Sequence, residues 1–365
     1  MPESPRPIII FGLVSKHPGR NLGGTAVSMG RLANYFVESG LAVTIAMRRP
    51  DPGHFLLKAA RPGVGFHFFR SASKAGIFLE LLIFILSAGS RSVLALDSKA
   101  CQIASWLKAV PGLDVRVWAS FRGVLSENKK ILLGRIARRC DGVIAISRGM
   151  AAEFLRLSSA SAHKVHVIHN LVVTPELLES VAGNVEHPWF QDRHIPIIIG
   201  VGRLVPVKGF DVLIRAFAGL RQSRPARLMI IGEGPERTAL ERLAGELGVH
   251  GDVDLCGFQE NPWAFMKRSS VFVLASRQEP FGNVLAEALA LGVPVVATDC
   301  PHGPREILDG GRLGRLVPVG DEGALAEAII ETLDNPLPPE VLAAGAARFG
   351  CEYAGRRYLD VMGLG

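Results

Sequence analysis

Two successive series of alternating apolar runs and amphipathic stretches constrain the fold of this 365-residue sequence more than any other feature. In the first series, the apolar run 8–14 precedes a glycine-containing loop, a helical pattern at 26–39 and a second apolar run at 42–47. A strand, a helix and a second strand in this order form a βαβ unit, in which the two strands are parallel. The same order begins again at 197–201. The sequence therefore predicts two α/β domains, each built on a parallel sheet.

The boundaries of the predicted domains follow a change in composition. Residues 174–196 are rich in Pro and Glu and show no regular apolar period, which is typical of a linker. We therefore predict a first domain at 1–173, a second domain at 197–344, and a C-terminal helix within 345–365 that packs back on the first domain. Ligand sites are common between domains and at the strand ends of such sheets. The expected architecture is thus two Rossmann-like domains that face each other across a cleft.

The formal net charge of +7 is divided unequally along the chain. Residues 1–180 contain 23 Lys and Arg against 11 Asp and Glu, a net charge of +12. Residues 181–365 contain 18 against 23, a net charge of −5. This asymmetry predicts different partners for the two halves. Nucleic acid is not expected among them, because the basic residues of the first half lack interleaved aromatic side chains.

The longest apolar stretch, 77–88, has 12 residues and contains Glu80, whereas a helix that crosses a bilayer needs about 20 apolar residues. The stretch is predicted either to lie in the core or, because Arg70 and Lys74 precede it, to lie on a membrane surface. The start of the chain is proline-rich and lacks the apolar region of a signal peptide. The five Cys residues are dispersed, which is typical of reduced thiols. We expect a cytoplasmic protein, with the inner face of the membrane as a candidate location.

Residues 276–292 form the segment that is most informative about function. A loop follows an apolar run there, and a helical pattern begins near Asn283. The turn before this helix offers backbone N–H groups at the positive end of the helix dipole, where phosphate binds. Glu287, one turn inside the helix, can accept two hydrogen bonds from a vicinal diol such as that of ribose, and Glu279 in the loop can reach a sugar attached to the phosphate. The alternatives are a charge at the start of the helix for Glu279 and a solvent-exposed position for Glu287.

A second candidate phosphate-binding element lies at 202–209. It follows the first predicted strand of the second domain, and open α/β sheets bind ligands at the carboxyl ends of their strands. Arg203 can donate two parallel hydrogen bonds to phosphate oxygens, and Lys208 adds a positive charge. Considered alone, the segment could equally be an exposed basic loop. Because 202–209 and 276–292 are expected at the same edge of one sheet, each supports the interpretation of the other.

The motifs GRLVPVKGFDVLIRAF, MIIGEGPER, LCGF and EPFGNVLAEALALGVPVVATDCPHGPREIL occur in this order between residues 202 and 308. Together they resemble the family 4 glycosyltransferases, which are retaining, nucleotide-sugar-dependent enzymes of the GT-B fold. The resemblance is strong over 197–335 and weak over 8–172. It implies a retaining, metal-independent glycosyltransferase that moves a hexose or N-acetylhexosamine from a nucleotide sugar.

The segment 299–306 is similar to that of members which use UDP-sugars to build surface polysaccharide or lipid-linked glycans. The implied acceptor is therefore a glycan or a polyprenyl-diphosphate-linked glycan, which an anionic inner-membrane surface would present to the basic first half.

The resemblance also implies roles for individual residues of the second domain. Two glutamates separated by seven residues are typical of the family, so that Glu279 would hold the transferred sugar and Glu287 the ribose. Arg203 and Lys208 would hold the diphosphate. The backbone amides that would approach the phosphates are those of Phe281, Gly282, Asn283, Val284 and Leu285, and the residues that would lie beside the base are Gly257 and Phe258.

In the first domain, Gly23 and Gly24 resemble the glycine loop that closes over the donor diphosphate in this family, although a flexible surface loop has the same composition. Asp97 falls where a polar residue commonly faces the cleft. The sequence departs from the family at a position where many members carry His, because Ser120 or Arg122 occupies that place. Asp97 and Arg122 are therefore the candidate residues on the acceptor side, and we assign no catalytic base.

No metal ion and no cofactor is expected. The DVD sequence at 252–254 resembles the metal-binding DxD motif of a different glycosyltransferase fold, but it lies far in sequence from the phosphate elements. Gly232 and Gly234 lack the third glycine of a dinucleotide fingerprint, which disfavours an NAD-dependent oxidoreductase. The remaining alternative to an enzyme is a catalytically silent nucleotide-sugar-binding scaffold protein, which the missing histidine of the first domain would explain.

Overall fold

A parallel β-sheet forms the centre of each of the two units into which the chain divides. The first unit comprises Met1–Leu171 and Cys351–Gly365, and the second comprises Val172–Gly350. The structure, a computed structural model, describes residues 7–13, 24–51, 54–180, 185–192 and 194–365. The prediction of two α/β domains, each built on a parallel sheet, is confirmed.

The strands of both sheets are short and apolar. The first sheet contains β1 (Ile8–Phe11), β2 (Val43–Arg48), β3 (Val64–Phe69), β4 (Ser92–Ala95), β5 (Arg116–Phe121), β6 (Gly142–Ala145) and β7 (Val165–Val167), and the second contains β8 (Ile197–Val201), β9 (Arg227–Ile231), β10 (Val253–Gly257), β11 (Val271–Leu274), β12 (Val295–Thr298) and β13 (Arg315–Val317). The spatial orders are β3-β2-β1-β4-β5-β6-β7 and β10-β9-β8-β11-β12-β13. In each sheet the order reverses beside the first strand of the unit, between β1 and β4 and between β8 and β11. Open α/β sheets bind their ligands at such switch points.

Helices lie between the strands along the chain and after the last strand. They are α1 (Gly24–Glu38), α2 (Phe55–Ala59), α3 (Lys74–Ala88), α4 (Ser98–Leu107), α5 (Lys130–Arg139), α6 (Arg148–Ser158), α7 (Pro175–Glu179), α8 (Phe210–Arg221), α9 (Arg237–Glu246), α10 (Pro262–Arg268), α11 (Asn283–Ala290), α12 (Gly303–Ile307), α13 (Glu322–Asp334), α14 (Pro339–Ala346) and α15 (Cys351–Met362). In the first unit, all four residues of β1 are buried, and α1 buries Leu32 and Phe36 in the same core.

The last helix of the chain belongs to the first unit, where α15 packs against α1. Tyr358 is fully buried, and its ring centroid lies 6.5 Å from that of Phe36. The helix expected within 345–365 begins at Cys351, because Gly350 is extended (φ −66°, ψ 150°) and separates it from α14 in the second unit.

The described residues of the segment 174–196, which we expected to be a linker, belong to the second unit instead. Thr174 caps α7 by accepting from the N–H of Leu177. His187 Nε2 lies 2.9 Å from Asp254 Oδ2 at the start of β10, and Arg227 stacks on the ring of Trp189 at 5.5 Å. The aromatic and polar side chains of the segment, which show no regular period in sequence, make these contacts.

Helix α3 corresponds to the apolar stretch 77–88. Ser73 caps its start, and Gly89 ends it in the left-handed conformation (φ 62°). One side of the helix buries Ile77, Leu81 and Ile85 in the first unit, while other apolar side chains remain exposed. Among the described residues, no helix has the length and apolar composition needed to cross a membrane.

Candidate functional site

The predicted site residues of the second unit lie at the carboxyl ends of its strands. Arg203 and Lys208 follow β8, and the segment 276–282 follows β11, the neighbouring strand at the switch point. Gly257 ends β10, and Phe258 follows it on the same edge of the sheet. The backbone therefore places these residues at the edge where doubly wound sheets bind ligands.

Glu279 and Lys208 form an ion pair at this edge. Lys208 Nζ donates to Glu279 Oε2 over 2.5 Å, and Ser276 Oγ donates to the same oxygen over 3.3 Å. Only 9% of the surface of Glu279 is exposed, so the carboxylate is not simply a solvated charge before a helix. A buried carboxylate needs a cation or hydrogen-bond donors, and Lys208 and Ser276 provide both.

Close backbone packing brings Lys208 to this position. Lys208 ends a short 3-10 turn, and Gly209 follows with a φ of 66°. A Cβ atom at Gly209 would lie 2.0 Å from the carbonyl oxygen of Ala275. Only glycine fits both the backbone angle and the space, so the loops after β8 and β11 lie in contact.

Arg277 joins the same two loops through hydrogen bonds. Its guanidinium donates to both carboxylate oxygens of Asp211 over 2.9 and 2.6 Å, and its N–H donates to the carbonyl of Val207 over 2.8 Å. Burial alone would raise the pKa of Asp211, but the hydrogen bonds and positive charge of Arg277 hold that pKa below its ordinary value. This pair keeps the loop with Lys208 beside the loop with Glu279.

Helix α11 begins beside Glu279. Gly282 caps it with a φ of 105°, a conformation in which glycine carries no strain. A Cβ atom at Gly303 would lie 1.7 Å from the carbonyl oxygen of Phe281, and the N–H of Gly303 donates to the carbonyl of Glu279 over 3.0 Å. The loop 279–282 is thus held against the start of α12. The turn that we predicted before α11 is present.

Glu287 lies in the second turn of α11 and is only 7% exposed. Its Oε2 atom accepts a hydrogen bond from Trp263 Nε1 on α10 over 3.0 Å. The alternative of a solvent-exposed glutamate is therefore wrong. No local sequence pattern connects Trp263 with Glu287, because the two residues are 24 positions apart and lie on different helices.

Three other predicted site residues lie at the same edge of the sheet but make different contacts from Glu279 and Glu287. They are Arg203, Gly257 and Phe258. Arg203 is exposed, and within the described part of the chain its guanidinium makes no hydrogen bond or ion pair. Gly257 has a φ of 72°, and the ring of Phe258 is 54% exposed. The structure joins Lys208 to Glu279 directly, whereas it records no such bond for Arg203 or Phe258 among the residues it describes. An exposed cation and an exposed ring are available to a ligand.

The candidate residues of the first unit have structural partners. Asp97 caps α4, because Oδ1 accepts from the N–H groups of Lys99 and Ala100 over 2.9 Å each, and Oδ2 accepts from the N–H of Leu13 over 2.6 Å. Both oxygens of this carboxylate are thus engaged with the backbone. Of the two predicted loop glycines, Gly24 is the first residue of α1, and Gly23 lies outside the described residues.

Arg122 is engaged as well. It follows β5 and donates from Nη1 to Asn170 Oδ1 over 2.5 Å and from Nη2 to the hydroxyl of Tyr358 over 2.7 Å. The side chain therefore connects the end of β5 to α15. Its acceptor-side role stays a prediction from the resemblance.

The DVD sequence does not bring two carboxylates to one point. Asp252 accepts from Arg221, whereas Asp254 pairs with His187 beside Cys256. His187 Nδ1 accepts from the N–H of Trp189 over 3.2 Å, so a neutral ring carries its proton on Nε2 and donates to Asp254. Burial, with the charge of Asp254, raises the pKa of the Cys256 thiol to about 12. One ligand atom each from His187, Asp254 and Cys256 lies within 4.8 Å of the other two, a spacing at which three such side chains can hold a metal ion.

Sequence models of two families match the chain. The model described as Glycosyltransferase Family 4 matches residues 22–175, and the model described as Glycosyl transferases group 1 matches residues 188–349. Together they span most of both units. The chain therefore belongs to the family 4 glycosyltransferases, as its motifs indicated.

Solved structures show the same fold. HepE from Anabaena in complex with UDP superposes with a TM-score of 0.79 at 19% identity, over 98% of this chain and 99% of that chain. Sucrose-phosphate synthase from Thermosynechococcus elongatus superposes with a TM-score of 0.81 at 20% identity, over 97% and 98% of the two chains. At this level of identity the likeness concerns the fold, which is GT-B.

Curated relatives match over part of their length. The lipopolysaccharide core biosynthesis glycosyltransferase LpsE of Rhizobium meliloti is 32% identical over 209 residues, which are 57% of this chain and 58% of that protein. The N-acetylgalactosamine-N,N'-diacetylbacillosaminyl-diphospho-undecaprenol 4-alpha-N-acetylgalactosaminyltransferase of Campylobacter jejuni is 31% identical over 210 residues, which are 56% and 54% of the two chains. The chain thus spans little more than half of the length of these relatives.

Proposed function

We propose that the protein is a retaining glycosyltransferase that transfers a hexose or N-acetylhexosamine from a nucleotide sugar. The observation that carries this proposal is the pair of buried glutamates at the switch point of the second sheet. Glu279 is held by Lys208, Glu287 is held by Trp263, and the start of α11 lies between them in sequence. Membership of family 4 supports the same chemistry. Buried carboxylates beside a helix start suit a ligand that carries both hydroxyls and phosphate.

In the proposed complex, Glu287 accepts hydrogen bonds from the ribose diol and Glu279 from the sugar that is transferred. Arg203 and Lys208 neutralise the negative charge that develops on the diphosphate as the bond between sugar and phosphate breaks. In many enzymes, stabilisation of this kind is the largest single contribution to catalysis. The acceptor hydroxyl attacks from the face that the diphosphate leaves, and the leaving phosphate accepts its proton. These cations provide the charge that a metal would otherwise supply, so we propose a metal-independent reaction.

The donor is proposed to be a UDP-sugar. HepE, which shares the fold, was solved with UDP and with UDP-glucose. Phe258, exposed at the end of β10, offers an aromatic face beside which a base can lie. We propose a glycan or a polyprenyl-diphosphate-linked glycan as the acceptor. The name of the Campylobacter jejuni relative includes a sugar linked to diphospho-undecaprenol, which supports this choice. The net charge of +12 over residues 1–180 suits an anionic acceptor at the inner face of a membrane.

The proposal is tested with the conservative variants Glu279→Gln and Glu287→Gln. Across a panel of UDP- and GDP-sugars with lipid-linked acceptors, we expect Glu279→Gln to reduce turnover about 100-fold or more, because it removes the charge beside the reacting sugar. Glu287→Gln is expected mainly to raise the donor KM. Glu246→Gln, an exposed position on α9, is the matched control.

Full activity in both site variants would contradict the site. Complete inhibition by EDTA would contradict the metal-independent reaction. UDP binding without transfer to any acceptor would favour the scaffold protein instead, and a rise in Tm with nicotinamide nucleotides alone would favour the oxidoreductase.

A further inference from the structure

Helix α3 exposes a row of large apolar side chains on the first unit. Leu79, Ile83 and Leu86 are 55%, 57% and 64% exposed. Their spacing of four and three residues places them on one face of the helix. The opposite face is buried through other residues of the same helix, so α3 is apolar on the side of the core and also on the outside. Exposed rows of this kind mark surfaces that bind a partner or a membrane.

Positive charges flank this apolar face at both ends. Arg70 and Lys74 are exposed before and in the first turn. Arg91, which lies 3.7 Å from the carboxylate of the exposed Asp114, is exposed two residues after Gly89 ends the helix. Glu80 is the single acidic residue of α3. Its two carboxylate oxygens accept from the N–H groups of Arg70 and Ser71 over 2.8 Å each, so it lies against the loop before the helix.

We propose that α3 lies flat on an anionic lipid bilayer, with Leu79, Ile83 and Leu86 inserted among the acyl chains. A 15-residue helix is about 22 Å long, and interfacial binding strengthens with the apolar area that is buried and with attraction between nearby cations and anionic lipid. The cations would contact the phosphates of the lipid headgroups. A second copy of this chain fits less well, because a symmetric contact through α3 would bring the same cations of both copies together.

The inference adds a surface to the proposed function and does not depend on transfer activity. It is tested by co-sedimentation of the full chain with vesicles of phosphatidylcholine alone and with 30 mol% phosphatidylglycerol. We expect binding to the anionic vesicles that falls as salt is raised. The triple variant Leu79→Ser, Ile83→Ser, Leu86→Ser is expected to bind at least tenfold more weakly. Tyr353→Ser, which removes an apolar side chain that is 54% exposed on α15, is the matched control and should bind as the unmodified chain does.

A second measurement covers the case in which the triple variant fails to fold. Ile83→Trp places a fluorophore on the exposed face, and its added emission should shift to the blue with anionic vesicles and be quenched by brominated lipids. Unchanged vesicle binding by a folded triple variant, or the absence of both spectral changes, would overturn the proposal. A concentration-dependent dimer that the triple variant loses would show that a second copy covers α3 instead. None of these measurements uses a sugar donor, so failure of the proposed transfer reaction gives a separate result.

Discussion

The carboxylate of Glu287 is positioned by a side chain from another helix. The indole N–H of Trp263 can only donate, and its hydrogen bond fixes one oxygen of the carboxylate. One turn further along both helices, Lys267 Nζ donates to the carbonyl of Leu291 over 2.8 Å. Helix α10 is therefore joined to α11 twice, once through Glu287 and once through the backbone.

Trp263→Phe removes the donor and keeps an aromatic side chain. We expect the donor KM to rise about tenfold with kcat nearly unchanged, because a hydrogen bond to a charged group contributes about 1.5 kcal/mol or more. If Glu287 binds the ribose diol, the variant should also lose part of its preference for UDP over 2′-deoxy-UDP, which calorimetry measures.

Lys267→Met is the control for this substitution, since it breaks the second connection between α10 and α11 without touching Glu287. It should lower Tm while the preference for UDP over 2′-deoxy-UDP stays the same. Equal weakening of UDP and 2′-deoxy-UDP binding in Trp263→Phe would show that Trp263 acts on stability alone.

Individual residues also show where prediction from sequence ends. Position after a strand correctly placed Arg203, Lys208 and Glu279 at one edge of one sheet. It could not identify partners that are distant in sequence. Asp97 binds the N–H of Leu13, and Arg122 binds Tyr358, which is 236 residues away. A cap and a long-range hydrogen bond use the same residue types as a binding site, so only the folded chain distinguishes them.

At the scale of elements, the site depends on contact between two loops. Asp211 lies in the first turn of α8, and Arg277 lies in the loop after β11. Their bidentate pair and the close approach of Gly209 to Ala275 hold the Lys208 loop against the Glu279 loop. Preorganised charges of this kind need no rearrangement when a charged ligand binds.

Asp211→Asn is expected to lower the stability of the protein at pH 7 by about 0.5–1 kcal/mol, because the pair is partly exposed and screened by solvent. Because the pKa of Asp211 is held below its ordinary value of 3.8, the pair stabilises the fold above that pH and ceases to do so as the pH falls through the lowered pKa. The difference in Tm between the two proteins should therefore shrink below about pH 4.

Thermal unfolding between pH 3 and 8 measures this difference. Asp309→Asn, which breaks an exposed ion pair with Arg312 away from the two loops, is the control for the loss of one surface charge. A difference in Tm that grows in acid would contradict the assigned role of Asp211.

The elements themselves were largely predictable, because apolar runs and glycine stops are local signals. Helix α3 shows the limit of such signals. Its sequence supported both a core helix and an interfacial helix, and the structure contains a buried face and an exposed face on the same element. The apolar pattern of a helix does not show which of its two apolar faces packs in the core of the protein. Likewise, the break at Gly350 between α14 and α15 depends on backbone angles that composition does not determine.

At the scale of the whole molecule, the first unit is built from both ends of the chain, whereas the second is continuous. The expected C-terminal helix lies in the first unit, where Tyr358, Leu359 and Met362 are buried. The segment 174–196 could not be assigned correctly from sequence, because its contacts with the second unit are made by single side chains such as His187 and Trp189.

Removal of residues 351–365 should therefore destabilise the first unit selectively. The deletion exposes the core around Phe36 and leaves Arg122 without the hydroxyl of Tyr358. Loss of several buried side chains costs several kcal/mol, enough to unfold a unit of ordinary stability. The second unit retains its sheet and all of Glu279, Glu287 and Lys208. In calorimetry we expect one transition to be lost or strongly lowered, while UDP still raises the Tm of the transition that remains.

Tyr358→Phe is the matched control, since it removes only the hydroxyl and its hydrogen bond from the Arg122 guanidinium, which should cost about 1.5 kcal/mol or more. Two outcomes of the deletion would contradict this prediction. An unchanged thermogram would mean that α15 contributes little to the first unit. Loss of the UDP effect together with the first transition would mean that the second unit cannot bind the donor alone, and that the donor site needs residues of the first unit as well.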